Sequence, residues 1–209
     1  LVIEDTSIVS DAMIKMHKFI IGLTGPKASG KGVIADFLKS KGFIYFSLSD
    51  IVREEARNRG LANYTTKQLQ DIGNELRLKF GNSVLADRII EKISKSNNLL
   101  FVIDGIRNPA EVMSFKKAFN ENFILISITA SREKRFQFML SRNRPSDPKT
   151  WEEFLKIDER DLGKDESPHG QQVKKCMQMA DITIENNSTI QVLTQKLIKA
   201  LRINRNILI

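Results

Sequence analysis

Gly25-Pro26-Lys27-Ala28-Ser29-Gly30-Lys31-Gly32 is the stretch that decides how this chain is read. An apolar run, Phe19-Ile20-Ile21-Gly22-Leu23, precedes it directly, and a helical pattern, Val33-Ile34-Ala35-Asp36-Phe37-Leu38, follows. Strand, glycine loop and helix in that order make a phosphate cradle. Loop amides turn inward around an anion, and the helix N-terminus adds about half a positive charge. Gly25 and Gly30 allow backbone angles and close approach that a side chain would block. Lys31 supplies a mobile ammonium for the outer phosphates. The cradle is read as residues 25–33, with a nucleoside triphosphate as occupant; a glycine-rich turn without a ligand is the alternative. Such loops usually place Ser or Thr after the lysine, where the hydroxyl ligates magnesium. Gly32-Val33 offers no hydroxyl there, and Ser29 inside the loop is the available substitute.

The 209 residues suit one α/β domain with a real core and are short for two. A hydrophobic share of 41% with 28% charged residues is that of an ordinary soluble globular protein. Cys176 is the single cysteine, so no internal disulfide can form, and no Cys/His cluster suggests zinc. This predicts a reducing, cytoplasmic location. Cys176 falls in a helix predicted over 171–179 and reads as a packing residue. No run of 18 apolar residues is present, so no membrane-spanning helix is expected. The formal charge of +8 raises the question of nucleic acid, but Lys and Arg are spread along the chain and mixed with acids. A basic enzyme for anionic phosphates explains the surplus, and no nucleic-acid or membrane partner is assigned. Residues 1–17 read as an N-terminal extension, with Met13 and Met16 just ahead of the first strand.

Further along, Phe43–Ser47 reads as a second strand and 50–58 as a helix. Thr65-x-x-Gln68 is a capping box opening a helix with Leu69, Ile72, Leu76 and Phe80 on its apolar face, ended by Gly81. A helix over 84–94 precedes Leu99–Ile103, an apolar run suited to a central parallel strand. Asn108-Pro109-Ala110-Glu111 starts the next helix with cap, proline and acid. Phe123–Thr129 is the fourth strand, followed by a helix over 131–142. Thr150-x-x-Glu153 caps another helix, and Ala180–Glu185 is the fifth strand. Ser188-x-x-Gln191 is expected to cap the closing helix. The alternation predicts a three-layer α/β/α domain over 18–209, with five parallel strands and a small helical lid near 132–163. Ligands in such sheets sit at the carboxyl ends of the strands.

The residues after each strand therefore carry the chemistry. Asp50 and Arg53 follow the second strand three apart and share a helix face. Arg53 can grip a phosphate through two parallel bonds, and Asp50 either takes a proton from an attacking hydroxyl or caps the helix. Asp104 ends the third strand, where a carboxylate can hold magnesium, and Arg107 follows in the loop as a second clamp. Arg135, Arg142 and Arg144 crowd the segment that could close over a triphosphate, with Arg132 and Arg160 nearby. The turn at Asn186 either borders an adenine or belongs to the last helix cap.

Taken together, these pieces resemble the nucleoside and nucleotide kinase branch of the P-loop proteins. Gly25 to Gly32 is similar to the adenylate kinase cradle. Ser49-Asp50-Ile51-Val52-Arg53 resembles that family's Gly-Asp-x-x-Arg acceptor motif. Asp104-Gly105-Ile106-Arg107 resembles its Asp-Gly-Phe-Pro-Arg, shortened by one residue, and the Asp-x-Arg of phage-type deoxynucleoside monophosphate kinases. Ala180 to Ser188 looks like the dephospho-CoA kinase ending. Over most of 19–201 the chain resembles an archaeal nucleotide-kinase-like group without an assigned substrate. The resemblance implies the P-loop NTPase fold, ATP with Mg²⁺ as phosphoryl donor, and an anionic acceptor such as a nucleoside monophosphate between Arg53 and Arg107. In that reading Lys31, Arg142 and Arg144 serve the transferring phosphoryl group, Asp104 organises magnesium, and Asp50 positions the acceptor. A nucleotide-dependent switch or hydrolase with a protein or nucleic-acid partner is the competing expectation; a binding protein without turnover is a third.

Overall fold

The structure, a computed structural model, describes residues 18–145 and 147–205. The extension expected at 1–17 lies outside the described residues. Five strands, β1 (Phe19–Thr24), β2 (Ile44–Ser47), β3 (Leu100–Asp104), β4 (Phe123–Thr129) and β5 (Ile182–Glu185), form one sheet in the order β2-β3-β1-β4-β5. Every pairing is parallel, and Leu23 stands opposite Asp104. The strand order reverses at β1, so the loop after it opens at the switch point of the sheet.

The helices are α1 (Lys31–Ser40), α2 (Leu48–Asn58), α3 (Thr66–Phe80), α4 (Val84–Ser94), α5 (Pro109–Phe119), α6 (Arg132–Arg142), α7 (Trp151–Leu162), α8 (Val173–Gln178) and α9 (Ile190–Arg205). Strand side chains alternate between two cores, as a sheet covered on both faces requires. Ile20, Phe101, Ile103, Phe123 and Leu125 pack with Leu85, Ile89 and Phe115 on one face. Ile21, Leu23, Val102, Ile124 and Ile126 pack with Ile34, Leu38, Leu193 and Leu197 on the other. The expected three-layer arrangement is present, and it is the P-loop NTPase fold.

Several boundaries differ from expectation. β2 begins at Ile44, because the Phe43 amide bonds to Leu38 O and closes α1 instead. α2 starts at Leu48 without a gap: Ser47 Oγ accepts from the Ser49 amide at 3.2 Å. Asp50 therefore lies inside the first turn and is not the cap. α8 is shorter than 171–179, and β5 starts at Ile182. Thr189, not Ser188, caps α9, accepting from the Val192 amide at 3.4 Å. Phe80 is 52% exposed beneath Lys79 and Arg88, whereas Gly73 and Arg77 take the buried side of α3. Ile72 and Leu76 pack into the core beneath β3, with Leu69 against them, while Gln70, Gly73 and Arg77 on the adjoining row line a cleft.

Candidate active site

The glycine loop is tied to the sheet on one side and to the end of β5 on the other. Gly25 has φ 125°, and a Cβ there would stand 2.1 Å from Ile128 O. Gly30 has φ 107°, and its Cβ would stand 2.4 Å from Asn186 Nδ2. Both positions are closed to other residues by backbone angle and by space. Asn186 Nδ2 donates to Ser29 O at 3.0 Å, so this asparagine braces the loop. Lys31 folds back and donates to Gly25 O at 2.7 Å and Pro26 O at 2.8 Å. Burial pulls its pKa down to about 8, against the attraction of Asp104. Gly32 is exposed, with open space where a Cβ would stand, so packing does not explain the missing hydroxyl. Ser29 Oγ is buried and unpartnered.

Asp104 ends β3 beside Leu23, one residue before the β1 terminus. Its Oδ1 is buried without a hydrogen-bond partner, which suits an oxygen waiting on a cation or its water. Among the described residues, no group of three or more His, Cys, Asp or Glu could hold a metal alone. One carboxylate with phosphates and waters is the way Mg²⁺ is usually held, so these residues fit that ion.

The structure brings Arg53, Arg107, Lys27 and Arg144 around one cleft next to the loop. Arg107 donates to Ser49 Oγ at 3.0 Å and to Gly105 O at 2.9 Å, and stands 3.6 Å from Asp161. Arg53 pairs with Asp50 at 2.6 Å; the Asp50 carboxylate is mostly exposed and lies outside the cleft wall. Carboxylates from the segment expected to form a lid occupy several of these cations. Asp147 accepts from Arg142 at 2.6 and 2.8 Å and lies 3.5 Å from Lys27. Burial works to raise the Asp147 pKa, but Arg142 and Lys27 outweigh it and hold it below the usual carboxylate range. Arg135 is buried in a two-point pair with Asp158 and reaches Lys27 O at 3.3 Å. Arg160 bridges Glu166 and Asp71, away from the loop.

Sequence reading passed over the inner framework. Glu111 caps α5 as expected, but it also accepts from Arg77 Nε and Nη2 at 2.9 and 2.8 Å and from the Arg107 amide at 2.8 Å. It is 0% exposed. A charged residue on the apolar face of α3 was the available signal for Arg77; nothing local marked its partner. His169 is a loop residue held by Asn82, and Cys176 is a buried packing residue whose thiol burial pushes up. Trp151 packs on Phe136 and Phe154 as an anchor.

Replacing Asp147 with Asn tests how this carboxylate acts on the loop. The variant should lose about 1.5–3 kcal/mol of stability yet bind ATP more tightly, because Lys27 and Arg142 no longer face a competing anion. Urea unfolding and calorimetry would read the two effects; weaker ATP binding would show that Asp147 supports the loop rather than competing for it.

Residues 21–161 match the family described as AAA domain. A UPF0200 protein from Pyrococcus horikoshii is 35% identical over 183 residues, covering 86% of this chain and 94% of the relative. Another from Methanothermobacter thermautotrophicus is 37% identical over 148 residues, 71% of this chain and 74% of the relative. Among solved structures, a gluconokinase from Sinorhizobium meliloti 1021 aligns with TM-score 0.54 at 14% identity, covering 90% of this chain and 94% of the other. That likeness concerns the fold. With its strand order, its glycine loop and two long archaeal matches, this chain belongs to the AAA domain family and to the UPF0200 proteins.

Proposed function

We propose that the protein is an ATP-dependent phosphotransferase acting on a nucleotide or nucleotide-like monophosphate. The observation that carries this reading is the cationic cleft of Arg53 and Arg107 opening beside the loop, with the unpartnered Asp104 oxygen buried at the adjoining strand end. An oxygen of the acceptor phosphate attacks the γ-phosphorus, a new P–O bond forms, and the bond to the β,γ-bridging oxygen breaks, releasing ADP. An ionised phosphate acceptor needs no base, and Asp50, outside the cleft wall, serves by holding Arg53. Mg²⁺, held through Asp104, would neutralise charge on the phosphate oxygens. Lys31 and the loop amides follow the phosphoryl group, and Arg144 closes over it with Arg142 once Asp147 releases Arg142. Positioning and electrostatics supply nearly all of such catalysis.

ADP release measured against a panel of nucleoside monophosphates and dephospho-CoA tests the reading. Acceptor-dependent turnover supports it. The missing hydroxyl at Gly32 favours the rival, a nucleotide-dependent switch, and turnover indifferent to every acceptor but raised by nucleic acid or protein would establish that instead.

The lowered pKa of Lys31 gives a signed expectation. Between pH 8 and its ordinary 10.5, the unfolded chain holds a proton that the folded, ligand-free chain lacks. Stability of the free protein therefore gains from this group as pH rises across that window. A bound polyphosphate keeps the proton on, so ATP affinity weakens as pH rises through about 8. Melting temperatures at neutral and alkaline pH, with and without Mg²⁺ and ATP, check both signs. An ATP-induced shift of equal size on either side of that value would count against the buried ammonium as the phosphate contact.

A further inference from the structure

The cleft has two chemically different ends. Its rim carries the cations Lys27, Arg53, Arg107 and Arg144, whereas its buried wall is the α3 face formed by Gln70, Gly73 and Arg77. These three are spaced three and four apart, which places them in one row along the helix. Gln70 is 3% exposed, and neither its Oε1 nor its Nε2 has a hydrogen-bond partner. Arg77 is 2% exposed, with Nε and Nη2 taken by Glu111 and Nη1 unpartnered. Three unmatched polar atoms on one buried helix face are costly, and folded proteins keep few of them without a use.

Gly73 points the same way. Glycine inside a helix is less favourable than alanine. A Cβ at this position would stand 3.5 Å from Arg77 Nη1 and 3.7 Å from Val52 Cγ2, both ordinary contact distances. The protein's own packing therefore has room for alanine, and the helix would gain by it. The space kept beside Gln70 and Arg77 is accounted for by a ligand that fills it.

Resting on the phosphotransferase reading above, we propose that this wall reads the edge of a nucleobase, so that the acceptor is a nucleoside monophosphate and not a sugar phosphate. A carboxamide presents one donor and one acceptor in a plane, matched by the neighbouring acceptor and donor of a base edge. Arg77 Nη1 adds a second donor for a carbonyl oxygen or ring nitrogen on that edge. Val52, Leu69 and Leu85 supply apolar surface for the ring faces, and Tyr64 an aromatic one. A sugar phosphate has hydroxyls for the polar atoms but no flat face for these walls. The phosphate of the same molecule then lies among the arginines at the rim, toward the loop.

The test is calorimetric titration of the four ribonucleoside monophosphates and of ribose 5-phosphate into the full chain with a non-hydrolysable ATP analogue, beside the transfer assay. Gln70→Leu and Gly73→Ala are the variants. At least one nucleotide should bind about tenfold more tightly than ribose 5-phosphate, and each variant should lose about that factor. Binding of the ATP analogue should not change, and Gly73→Ala should melt at or above the wild-type temperature. The proposal is overturned if ribose 5-phosphate binds as well as every nucleotide, if no monophosphate binds, or if both variants keep wild-type affinity. Base-dependent binding without transfer would uphold this assignment and sink the phosphotransferase reading. Transfer indifferent to the base would do the reverse.

Discussion

Lys31→Met should reduce phosphoryl transfer by about 100- to 1000-fold, the usual cost of losing one preorganised charge aimed at a transition state. The ammonium is buried and donates to Gly25 O and Pro26 O, so it is already positioned at the loop without a ligand. Two consequences are separable. Because it ties two loop carbonyls, its loss also relaxes the cradle and weakens ATP binding. In the proposed reaction it follows the transferring group, so the loss in turnover at saturating ATP should exceed the loss in affinity. Steady-state kinetics with calorimetry on the same variant separates them. A variant with near-normal turnover at saturating ATP would remove Lys31 from the reaction and leave it a loop brace.

Glu111→Ala should destabilise the fold by about 3–5 kcal/mol, because it leaves the Arg77 charge buried and unpaired. For a chain of this length that corresponds to a fall in melting temperature of about 6–20 °C. The effect has two further sources. The capping box of α5 loses its acid, since the Asn108 amide donates to Glu111 at 3.0 Å. The Arg107 amide loses its acceptor as well, so the arginine loop is freed at its root. Acceptor binding should therefore weaken even below the melting temperature. Glu111→Gln keeps the shape and part of the acceptor capacity, and should retain more stability. If alanine costs under 1 kcal/mol, the buried Arg77–Glu111 pair does not organise the cleft.

Sequence patterns revealed those parts of the molecule governed by neighbours along the chain. The loop and its flanking elements are local, and so are the capping boxes at Thr65 with Gln68, Asn108 with Glu111 and Thr150 with Glu153, all present as read. Fully apolar runs such as 99–103, which supplies most of β3, announce a sheet covered on both faces. What remained hidden depends on contacts between distant segments. Arg77 and Glu111 are 34 residues apart, and Lys27 and Asp147 meet only because the segment between α6 and α7 packs against the loop. Phe80 fits a helical stripe whose Ile72 and Leu76 do enter the core, yet it is itself exposed at the helix end, and the row beside the stripe, Gln70, Gly73 and Arg77, serves a cleft. Ser188 and Thr189 are equally good caps by type; with Asn186 tied to Thr129 O and Ser29 O, the helix starts at the later one.

Arg142 illustrates the limit of reading a charge by its position. Its place between α6 and the loop before α7 suits a closing arginine, and the structure shows it held by Asp147 on the same segment. The same carboxylate also faces Lys27 in the cradle. One carboxylate thus stands against both Arg142 and Lys27, and in the proposed reaction closure over a triphosphate would exchange one anion for another.

The central claim, that a triphosphate on the loop faces a second phosphate in the arginine cleft, is tested most directly by a bridged ligand. Adenosine joined through five phosphates to each of the four nucleosides spans both positions. Calorimetry should find at least one such compound binding about 100-fold or more tightly than ATP, since one molecule then makes the contacts of two. Affinity no better than that of ATP for all four would contradict the account.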